Sequence, residues 1–538
     1  MTQTPDTPTI GQALVAGLKA RGVDTVFGIP GVHTIELYRG LAGSGIRHIT
    51  PRHEAGAAFM ADGYARVSGK PGVAFVITGP GVANTLTPMG QARADSVPIL
   101  VVSGVNARPT LGLGMGHLHE LPDQRAMVAS VALSATRIEA ASDLVPTLDQ
   151  AFDLLEHGRG GPVHIEVPTD VMPAPCPADL LTAVRAAPRP GLNRAPDTAQ
   201  FEQAAQMLRQ ARAPIILVGG GARYCGDLIA QLANHISAPV MQTANARGMM
   251  HGHPLALPAS PCLDSVRALI HSADVVLAVG TEFGPTEYDM YAKGDLPAPP
   301  GMIRIDIDAD QLARHPAALK ICADAHAALS QLVPQVCNGT AQGQDGATRV
   351  ATALADGWAE LTPVMQDQVR MLEAMRDAAP NSLIVGDSTQ PIYAGNIWYD
   401  HDRPGGWFNA ATGFGALGFG VPAAIGAAIA APDAHVYCLT GDGGLQFSLA
   451  ELMTAFDAQL NITFVVWNNH GFQEIADSMQ AVGVPVLGCT PTPPRMAELA
   501  AACQLPFASI PYSVAALHMA MDKLRSTTGP RMIEICIS

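Results

Sequence analysis

An aspartate and an asparagine placed 27 residues apart are the residues of this chain with the clearest chemical meaning. Asp442 lies in the run Gly441-Asp442-Gly443, and Asn469 is the second of two adjacent asparagines. Their carboxylate and amide oxygens are hard ligands, which suit Mg²⁺ rather than zinc when phosphate oxygens complete the coordination. The pair therefore predicts a magnesium site that anchors a diphosphate group.

The pattern around these residues predicts that they meet. Apolar residues 435–439 and 462–467 predict two buried strands, and the amphipathic run 448–458 predicts a helix between them. Parallel strands joined by a crossover helix place both following turns at the carboxyl edge of one sheet, where ligands of open α/β sheets bind. Each turn alone is explained by ordinary turn chemistry, since Gly, Asp and Asn are all turn residues. The two turns together favour a ligand site.

The segment GDGGLQFSLAELMTAFDAQLNITFVVWNNHGF resembles the thiamine-diphosphate motif of the decarboxylase and acetolactate synthase family. The N-terminal segments VDTVFGIPGVHTIELY and RHEAGAAFMADGYARVSGKPGVAFVITGPGVAN resemble its pyrimidine-binding domain. This resemblance implies that Glu54 hydrogen-bonds N1′ of the cofactor and promotes the imino form that removes the C2 proton. A carboxyl group in an apolar pocket can serve this role, because desolvation disfavours its ionised form. The alternative is a charge pair of His53 and Glu54 at a surface helix start.

The same resemblance implies further cofactor contacts. Gly415 is expected to offer its carbonyl to the 4′-amino group, and Leu417 to force the cofactor into its bent form. Gly471 is expected to give a third metal contact through its backbone carbonyl. The remaining diphosphate-binding residues implied are Thr389, Gln390, Gly441, Gly443 and Gly444. The alternative for GFGALGFG is a glycine-rich loop that only precedes a helix.

Length and pattern predict three α/β domains with parallel sheets, in a thiamine-diphosphate-binding fold. A chain of 538 residues exceeds what one core usually supports. The predicted domains are a pyrimidine-binding domain at 1–175, a central domain at 195–335 and a diphosphate- and Mg²⁺-binding domain at 351–538. The proline-rich stretch 168–196 predicts the first linker.

Composition narrows the class of protein. The formal net charge of −15 argues against binding to nucleic acid or to an anionic membrane. No apolar stretch is long enough for a membrane span, and the alanine-rich run 421–431 predicts a buried helix instead. Nine cysteines without a CxxC pair or a Cys/His cluster predict reduced thiols in a cytoplasmic protein.

The central domain contains one further glycine-rich turn. Gly219, Gly220 and Gly221 follow a predicted strand at 215–218, as in dinucleotide-binding turns. Tyr224, however, stands where the third glycine of GxGxxG would fall. A structural turn is therefore favoured over a nucleotide site, and no flavin signature is found.

Histidines near the expected thiazolium could select the reaction. His33 follows FGIPGV, where members resembling benzaldehyde lyase place an active-site histidine, and a neutral imidazole could relay a proton there. The alternative is a histidine that caps a turn. His119, in GMGHLHELPDQ, belongs to a loop that faces the active site in relatives. The chain lacks the adjacent histidine pair of pyruvate decarboxylases and the tryptophan that acetolactate synthases carry after their two asparagines.

Acidic residues suggest the substrate. The segments LHELPDQ, GTEFGPTEYDMY and WNNHGFQEI resemble sequences assigned as 5-guanidino-2-oxopentanoate (2-ketoarginine) decarboxylases. Glu474 or Glu120 would then pair with the guanidinium, and Gln473 would lie beside it. The alternative for Glu474 is a helix N-terminal acid that interacts only with the helix dipole.

The sequence therefore predicts a thiamine-diphosphate- and Mg²⁺-dependent enzyme that decarboxylates a 2-oxo acid without oxidation. In the family, the glutamate and the diphosphate site come from different subunits, so the resemblance implies a homodimer or homotetramer. The alternatives are a carboligase like acetolactate synthase or benzaldehyde lyase, and a catalytically silent binding homologue. Intact Glu54, Asp442 and Asn469 argue against the silent homologue.

Overall fold

Three parallel six-stranded sheets form the framework of the chain. The structure, a computed structural model, describes residues 7–186, 198–294 and 301–537. The strands of each sheet come from one continuous part of the chain, which confirms the predicted α/β class. The exact domain limits remain a prediction.

The N-terminal sheet has the order β2-β1-β3-β4-β6-β5. Its strands are β1 (Thr25–Gly28), β2 (Arg47–Ile49), β3 (Gly72–Val76), β4 (Ile99–Val105), β5 (Ser134–Arg137) and β6 (Pro162–Pro168). The helices of this part are α1 (Ile10–Ala20), α2 (Ile35–Leu41), α3 (Glu54–Ser68), α4 (Pro80–Asn84), α5 (Leu86–Ala94), α6 (Gln124–Ala129), α7 (Leu144–Glu156) and α8 (Ala178–Val184).

The central sheet has the order β12-β11-β10-β7-β8-β9. Its strands are β7 (Ile215–Val218), β8 (Val240–Gln242), β9 (Ala256–Leu257), β10 (Val275–Val279), β11 (Gly301–Asp306) and β12 (Leu319–Cys322). Its helices are α9 (Thr198–Gln210), α10 (Gly226–Ile236), α11 (Asp264–His271), α12 (Met290–Lys293), α13 (Ala309–Arg314) and α14 (Ala325–Cys337).

The C-terminal sheet has the order β14-β13-β15-β16-β18-β17. Its strands are β13 (Leu383–Gly386), β14 (Trp407–Asn409), β15 (Val436–Gly441), β16 (Ile462–Asn468), β17 (Phe507–Pro511) and β18 (Arg531–Cys536). The helices are α15 (Gly346–Glu360), α16 (Pro363–Ala378), α17 (Gln390–Ile397), α18 (Gly420–Ala430), α19 (Asp442–Leu445), α20 (Leu452–Asp457), α21 (Gln473–Ala481), α22 (Met496–Ala502) and α23 (Val514–Leu524).

Helices α3 and α18 pack the N-terminal and C-terminal sheets against each other. The two helices approach so closely that a methyl group on Gly63 would lie 2.0 Å from the carbonyl oxygen of Ala423. A methyl group on Gly426 would lie 1.9 Å from that of Met60. Small residues therefore permit this crossing, and one hydrophobic cluster extends through both sheets. The predicted buried helix at 421–431 is confirmed as α18, whose interior residues are almost all buried.

Most predicted strands are confirmed within two residues of their ends. The runs 435–439 and 462–467 correspond to β15 and β16, which pair in parallel as predicted. The run 448–458 forms a short 3₁₀ turn followed by α20 rather than one continuous helix. Part of the predicted linker at 168–196 lies outside the described residues, and α8 occupies another part of it. In the described ranges, no helix combines the length and apolar character needed to cross a bilayer.

Candidate active site

The carboxylate of Asp442 lies at the carboxyl end of β15, as the first residue of α19. It is fully buried, and its Oδ2 atom has no hydrogen-bond partner among the described residues. Burial raises the pKa of this carboxyl, while backbone N–H groups such as that of Asn469 act in the opposite direction. An unpartnered buried oxygen is unfavourable unless a cation or a donor faces it. Asp442 therefore has an open position for a ligand.

Two further oxygens lie beside Asp442. The side-chain oxygen of Asn469 is 3.1 Å from Asp442 Oδ1 and 2.9 Å from the carbonyl oxygen of Gly471. Neighbouring ligands of octahedral Mg²⁺ lie about 3 Å apart, because each is about 2.1 Å from the ion. Without a cation, the reversed amide would donate hydrogen bonds to both oxygens instead. The three groups therefore fit a shared Mg²⁺ ion.

This candidate metal site needs only one charged side chain. Across the residues that the structure describes, no group of three His, Cys, Asp or Glu side chains could hold a metal ion. One carboxylate, one amide and one carbonyl are a sparse ligand set, which suits Mg²⁺ when phosphate oxygens and water supply the rest. The fit therefore depends on a phosphorylated ligand.

The predicted diphosphate segment lies against the same turn. Thr389 is the N-cap of α17, whose first residue is Gln390. A methyl group on Gly441 would lie 3.2 Å from Thr389 Oγ1, so the two segments approach closely. Gln390 Oε1 accepts a hydrogen bond from Asn469 Nδ2 at 3.3 Å, in the amide orientation that also fits the metal. The positive end of an eight-residue helix beside a cation site favours an anion such as a diphosphate.

Asp387, which the sequence reasoning missed, connects the loops of this site. It follows β13, is fully buried, and accepts hydrogen bonds from the backbone N–H groups of Gly418 and Gly420, both at 3.0 Å. A methyl group on Gly444 would lie 3.3 Å from its carboxyl carbon. Burial raises the pKa of Asp387 to about 6. Its position directly after a buried strand was the available sequence signal.

The loop that carries Gly415 and Leu417 lies between the two packed sheets. Gly415 has a φ of +75°, which favours glycine, and Leu417 is half-buried. Between them, the backbone N–H of Ala416 donates to Gln91 Oε1 of α5 at 3.2 Å. The N-terminal part of the same chain therefore supports this loop. The cofactor contacts of Gly415 and Leu417 remain predictions.

Glu54 is the first residue of α3 and is half-buried. Its Oε2 atom accepts a hydrogen bond from Asn84 Nδ2 at 2.9 Å, and a methyl group on Gly81 would lie 3.6 Å from its Cγ. Asn84, at the end of α4, therefore orients the carboxylate. No pattern in the sequence predicted this role of Asn84, which ends the segment GPGVAN.

The structure brings the two predicted histidines together. The ring centroids of His33 and His119 are 5.4 Å apart. Burial and then the nearby His119 lower the pKa of His33, which keeps its imidazole neutral near pH 7. The Nδ1 atoms of both rings are buried and have no partner within the described part of the chain. Two adjacent imidazoles can exchange protons with a ligand that reaches them.

Glu120 is occupied by its own loop. Its carboxylate oxygens accept hydrogen bonds from the backbone N–H groups of Gly114, Gly116 and His117 at 2.7 to 2.9 Å. These bonds lower the pKa of Glu120. They favour a role in shaping the loop before His119, so Glu120 is the weaker of the two predicted guanidinium partners.

Glu474 lies in the first turn of α21, after Phe472, whose ring packs on the metal turn. A methyl group on Gly443 would lie 2.5 Å from this ring. The Glu474 side chain is exposed. Partial desolvation of its carboxyl group and then the like charge of Asp477 raise its pKa, and no ion pair to it is found among the described residues. Burial and then the charge of Glu474 raise the pKa of Tyr393. The predicted neighbour Gln473 donates to Asp477 at 2.6 Å instead.

The predicted residues fall into two groups. The acid group contains Glu54, His33 and His119 of the N-terminal sheet, and the metal group contains Asp442 and Asn469 of the C-terminal sheet with the segments around them. Within the described ranges, no hydrogen bond or ion pair joins a member of one group to a member of the other. Within one chain the two groups are connected indirectly, through Glu451, which follows Asp442 by nine residues and accepts hydrogen bonds from the backbone N–H groups of Arg52 and His53 directly before Glu54.

The glycine-rich turn of the central sheet has a packing explanation. A methyl group on Gly219 would lie 2.2 Å from the carbonyl oxygen of Gly280, and one on Gly221 would lie 3.1 Å from its Cα. The turn therefore needs small residues because a neighbouring strand end crosses it. A cavity of about 320 Å³ adjoins this turn. This close contact supports the interpretation of the glycine-rich segment as a structural turn.

Comparison with known families matches all three sheets. Residues 8–127 match the N-terminal TPP binding domain of thiamine pyrophosphate enzymes, 201–332 their central domain, and 387–535 their C-terminal TPP binding domain. The chain belongs to the thiamine pyrophosphate enzyme family. The predicted family, fold and thiamine diphosphate cofactor are thereby confirmed.

Two relatives illustrate the range of the family. The chain is 41% identical to the probable 2-ketoarginine decarboxylase AruI of Pseudomonas aeruginosa over 502 residues, which covers 92% of this chain and 88% of the relative. It is 30% identical to the acetolactate synthase isozyme 1 large subunit of Escherichia coli over 487 residues, or 87% and 83% of the two chains. This thiamine pyrophosphate enzyme is therefore similar along most of its length to proteins with both names.

Proposed function

We propose that this enzyme catalyses the thiamine-diphosphate- and Mg²⁺-dependent, non-oxidative decarboxylation of a 2-oxo acid with a cationic side chain, 5-guanidino-2-oxopentanoate being the favoured substrate. The observation that carries the proposal is the exposed Glu474 carboxylate, which lies three residues after Gly471 of the metal group and has Asp477 and Tyr393, but no cation, as electrostatic neighbours among the described residues. A guanidinium would supply the missing positive charge through two parallel hydrogen bonds. The name of the 41% identical relative supports the same substrate.

The chain's own residues would bind and orient the reactants. Asp442, Asn469 and Gly471 would hold Mg²⁺, and the N-terminus of α17 would receive the diphosphate. Thiamine diphosphate, when bound, supplies the electron sink for the loss of CO₂. Glu54, oriented by Asn84, would hold and return a proton at N1′.

The paired histidines would serve the substrate. Because the pKa of His33 is lowered, its imidazole is neutral at pH 7 and can accept a proton. The His119 ring lies beside it, with ring centroids 5.4 Å apart. Together they would relay a proton to or from the substrate oxygen.

Exposed apolar side chains support a homodimer or homotetramer in which the acid group of one chain meets the metal group of another. Large hydrophobic residues are more than half exposed in the loop before His119 and in the segments that follow the metal turn. They are Leu113, Met115, Leu118, Phe447, Ile475 and Leu487. Such exposure on both sides is typical of surfaces that associate.

A cytoplasmic location fits the cysteines. Within the described residues, the nine cysteines form no disulfide bond, and five of them are buried. Cysteines without disulfide bonds are usual where the compartment is reducing. The protein is therefore proposed to work in the cytoplasm.

The second candidate is a carboligase like acetolactate synthase or benzaldehyde lyase, favoured by the 30% identity to an acetolactate synthase. A decarboxylase would release CO₂ and an aldehyde, a carboligase like acetolactate synthase would release CO₂ and join the remaining fragment to a second carbonyl compound, and one like benzaldehyde lyase would join two aldehydes without releasing CO₂. A silent homologue would release no CO₂ at all. The product therefore separates the three cases.

The test measures CO₂ release and products for 5-guanidino-2-oxopentanoate, a neutral 2-oxo acid of similar length, and pyruvate, with thiamine diphosphate and Mg²⁺. The proposal expects the highest kcat/KM for the guanidino acid and an aldehyde as product. A preference for pyruvate, with an acetohydroxy acid as the product, would contradict the proposal and support the carboligase like acetolactate synthase instead. Calorimetric titration of thiamine diphosphate, with and without Mg²⁺, checks the metal site without relying on turnover.

A further inference from the structure

Glu451 is a buried acid of the C-terminal sheet that contacts the chain directly before Glu54. It is 1% exposed. Its Oε1 atom accepts hydrogen bonds from the backbone N–H groups of Arg52 and His53, both at 3.0 Å. Its Oε2 atom accepts from Thr454 Oγ1 at 2.6 Å. One carboxylate therefore satisfies the two N–H groups that lead into α3.

The contact between Glu451 and α3 leaves no space for a side chain at Gly56. A methyl group on Gly56 would lie 2.3 Å from Glu451 Oε1, so a side chain there would displace the carboxylate. Outside this contact, the Arg52 guanidinium donates to Thr454 Oγ1 at 3.1 Å and pairs with the exposed Asp457 at 2.5 Å. The buried and exposed parts of this connection can therefore be changed separately.

Burial makes the Glu451 carboxylate unfavourable unless its partners are kept. Desolvation raises the pKa of Glu451, and the N–H groups of Arg52 and His53 together with Thr454 act against this shift. Removing the carboxylate would leave the partly buried N–H groups of Arg52 and His53 without this partner, which disturbs the backbone they belong to. The first residue after those donors is Glu54.

We propose that Glu451 is a positioning residue for Glu54, fixing the first turn of α3 so that the acid reaches the cofactor. This inference rests on the proposed function. A displacement of about 1 Å at a reacting group can lower a rate about 100-fold. Glu451 lies nine residues after Asp442 of the metal group, and it positions Glu54 of the acid group.

The proposal separates proton chemistry from cofactor binding. Loss of the Glu451 contact moves Glu54, whereas Asp442, Asn469 and Gly471 keep their positions. Exchange of the C2 proton of bound thiamine diphosphate should therefore slow, while the affinities for thiamine diphosphate and Mg²⁺ change little. A purely structural role would lower melting temperature and all affinities together.

The experiment compares Glu451→Ala, Glu451→Gln and Gly56→Ala with the control Asp457→Asn in the full-length protein. C2 proton exchange is followed by rapid-quench NMR, cofactor dissociation constants by calorimetry, and folding by thermal melting. Glu451→Ala and Gly56→Ala should slow exchange by about 10- to 100-fold with dissociation constants within about threefold of the parent. Glu451→Gln should be milder, because its amide oxygen still accepts hydrogen bonds, and Asp457→Asn should match the parent.

Parent-like exchange in folded Gly56→Ala and Glu451→Gln would overturn the proposal, even if Glu451→Ala failed to fold. Glu54→Gln in the same assay tests the proposed function independently. Slow exchange in Glu54→Gln with parent-like exchange in the Glu451 and Gly56 variants would reject only the positioning role. Parent-like exchange in Glu54→Gln would reject the acid assignment itself.

Discussion

The N-terminal and C-terminal sheets have the same strand order but carry their polar groups at different strand ends. Counted within each sheet, both follow the order 2-1-3-4-6-5. In the N-terminal sheet, Glu54 follows the second strand. In the C-terminal sheet, Asp442 and Asn469 follow the third and fourth strands. The shared topology positions strand ends, and the residues placed there decide between proton transfer and metal binding.

The two regions also differ in how their acids are partnered. Glu54 has a side-chain donor, Asn84, that fixes its orientation. Asp442 keeps one buried oxygen open and faces two other oxygens. An oriented acid suits proton transfer, whereas converging oxygens suit a cation. Substitutions at the two sites should therefore have different signatures.

The largest effect is expected for Glu54→Gln. The variant should keep its affinity for thiamine diphosphate and Mg²⁺, because the metal group is unchanged. Its turnover should fall by about 10²- to 10⁴-fold, the range for loss of a general acid or base. Steady-state kinetics and calorimetry on the same preparation measure both quantities. Lost affinity with retained C2 proton exchange would show that the two regions have been assigned in reverse.

Asp442→Ala should show the opposite pattern. Removing the only charged metal ligand should weaken Mg²⁺ and thiamine diphosphate binding together, by at least the roughly 10- to 100-fold that loss of an outer-shell partner causes. Calorimetric titration at several Mg²⁺ concentrations measures this. Asp442→Asn is the matched control of similar volume and should be intermediate. Unchanged cofactor affinity in Asp442→Ala would remove the metal site.

Glu474→Gln tests the proposed contact between the enzyme and the guanidinium group of the substrate. It should lower kcat/KM for 5-guanidino-2-oxopentanoate by about 1.5–3 kcal/mol, the range for hydrogen bonds to charged groups. A neutral 2-oxo acid of similar length should be affected much less, because it has no cation to pair.

Glu120→Gln is the parallel control for Glu474. Because the Glu120 oxygens accept from backbone N–H groups of its own loop, this change should affect both substrates alike. A charge-selective loss in Glu120→Gln and none in Glu474→Gln would exchange the two roles.

The smallest effect on activity is expected in the central sheet. Gly219→Ala places a methyl group 2.2 Å from the carbonyl oxygen of Gly280, so the free energy of unfolding should fall by about 1–3 kcal/mol. Because this turn is explained by packing, kcat/KM of the folded enzyme should stay at the parent value. Denaturant unfolding and kinetics measure the two quantities. An activity loss beyond the unfolded fraction would indicate that the turn serves a ligand.

The sequence predicted the regular framework because buried parallel strands are continuous apolar runs. The strand predicted at 215–218 matches β7 at both ends. The prediction of one helix over 448–458 was less accurate, because this segment begins with a 3₁₀ turn at Leu449–Glu451. In that turn, Glu451 accepts a hydrogen bond from the backbone before α3. Such long-range contacts leave no periodic pattern in the local sequence.

The site was predicted where residue types and spacing are unusual. Asp442, Asn469 and Gly471 lie together as expected, and so do His33 and His119. Three buried or partly buried polar residues of the site region were missed, namely Asn84, Asp387 and Glu451. Each forms a hydrogen bond to a segment that is distant in the sequence, so its role depends on the fold rather than on its neighbours in sequence. Glu120 differs from these residues because its partners are close in sequence. Its acidic character suggested a substrate contact, but its carboxylate accepts hydrogen bonds from its own loop.

The central claim is that the acid group and the metal group complete one site from two chains. Mixing inactive Glu54→Gln with inactive Asp442→Ala, after dissociation and reassociation, tests it most directly. In a mixed dimer, one site would combine an intact Glu54 with an intact Asp442, so about a quarter of parental activity should return after random pairing in a twofold-symmetric assembly. Activity that stays at the level of the separate variants, although mixed dimers are present by native mass spectrometry, would contradict the account.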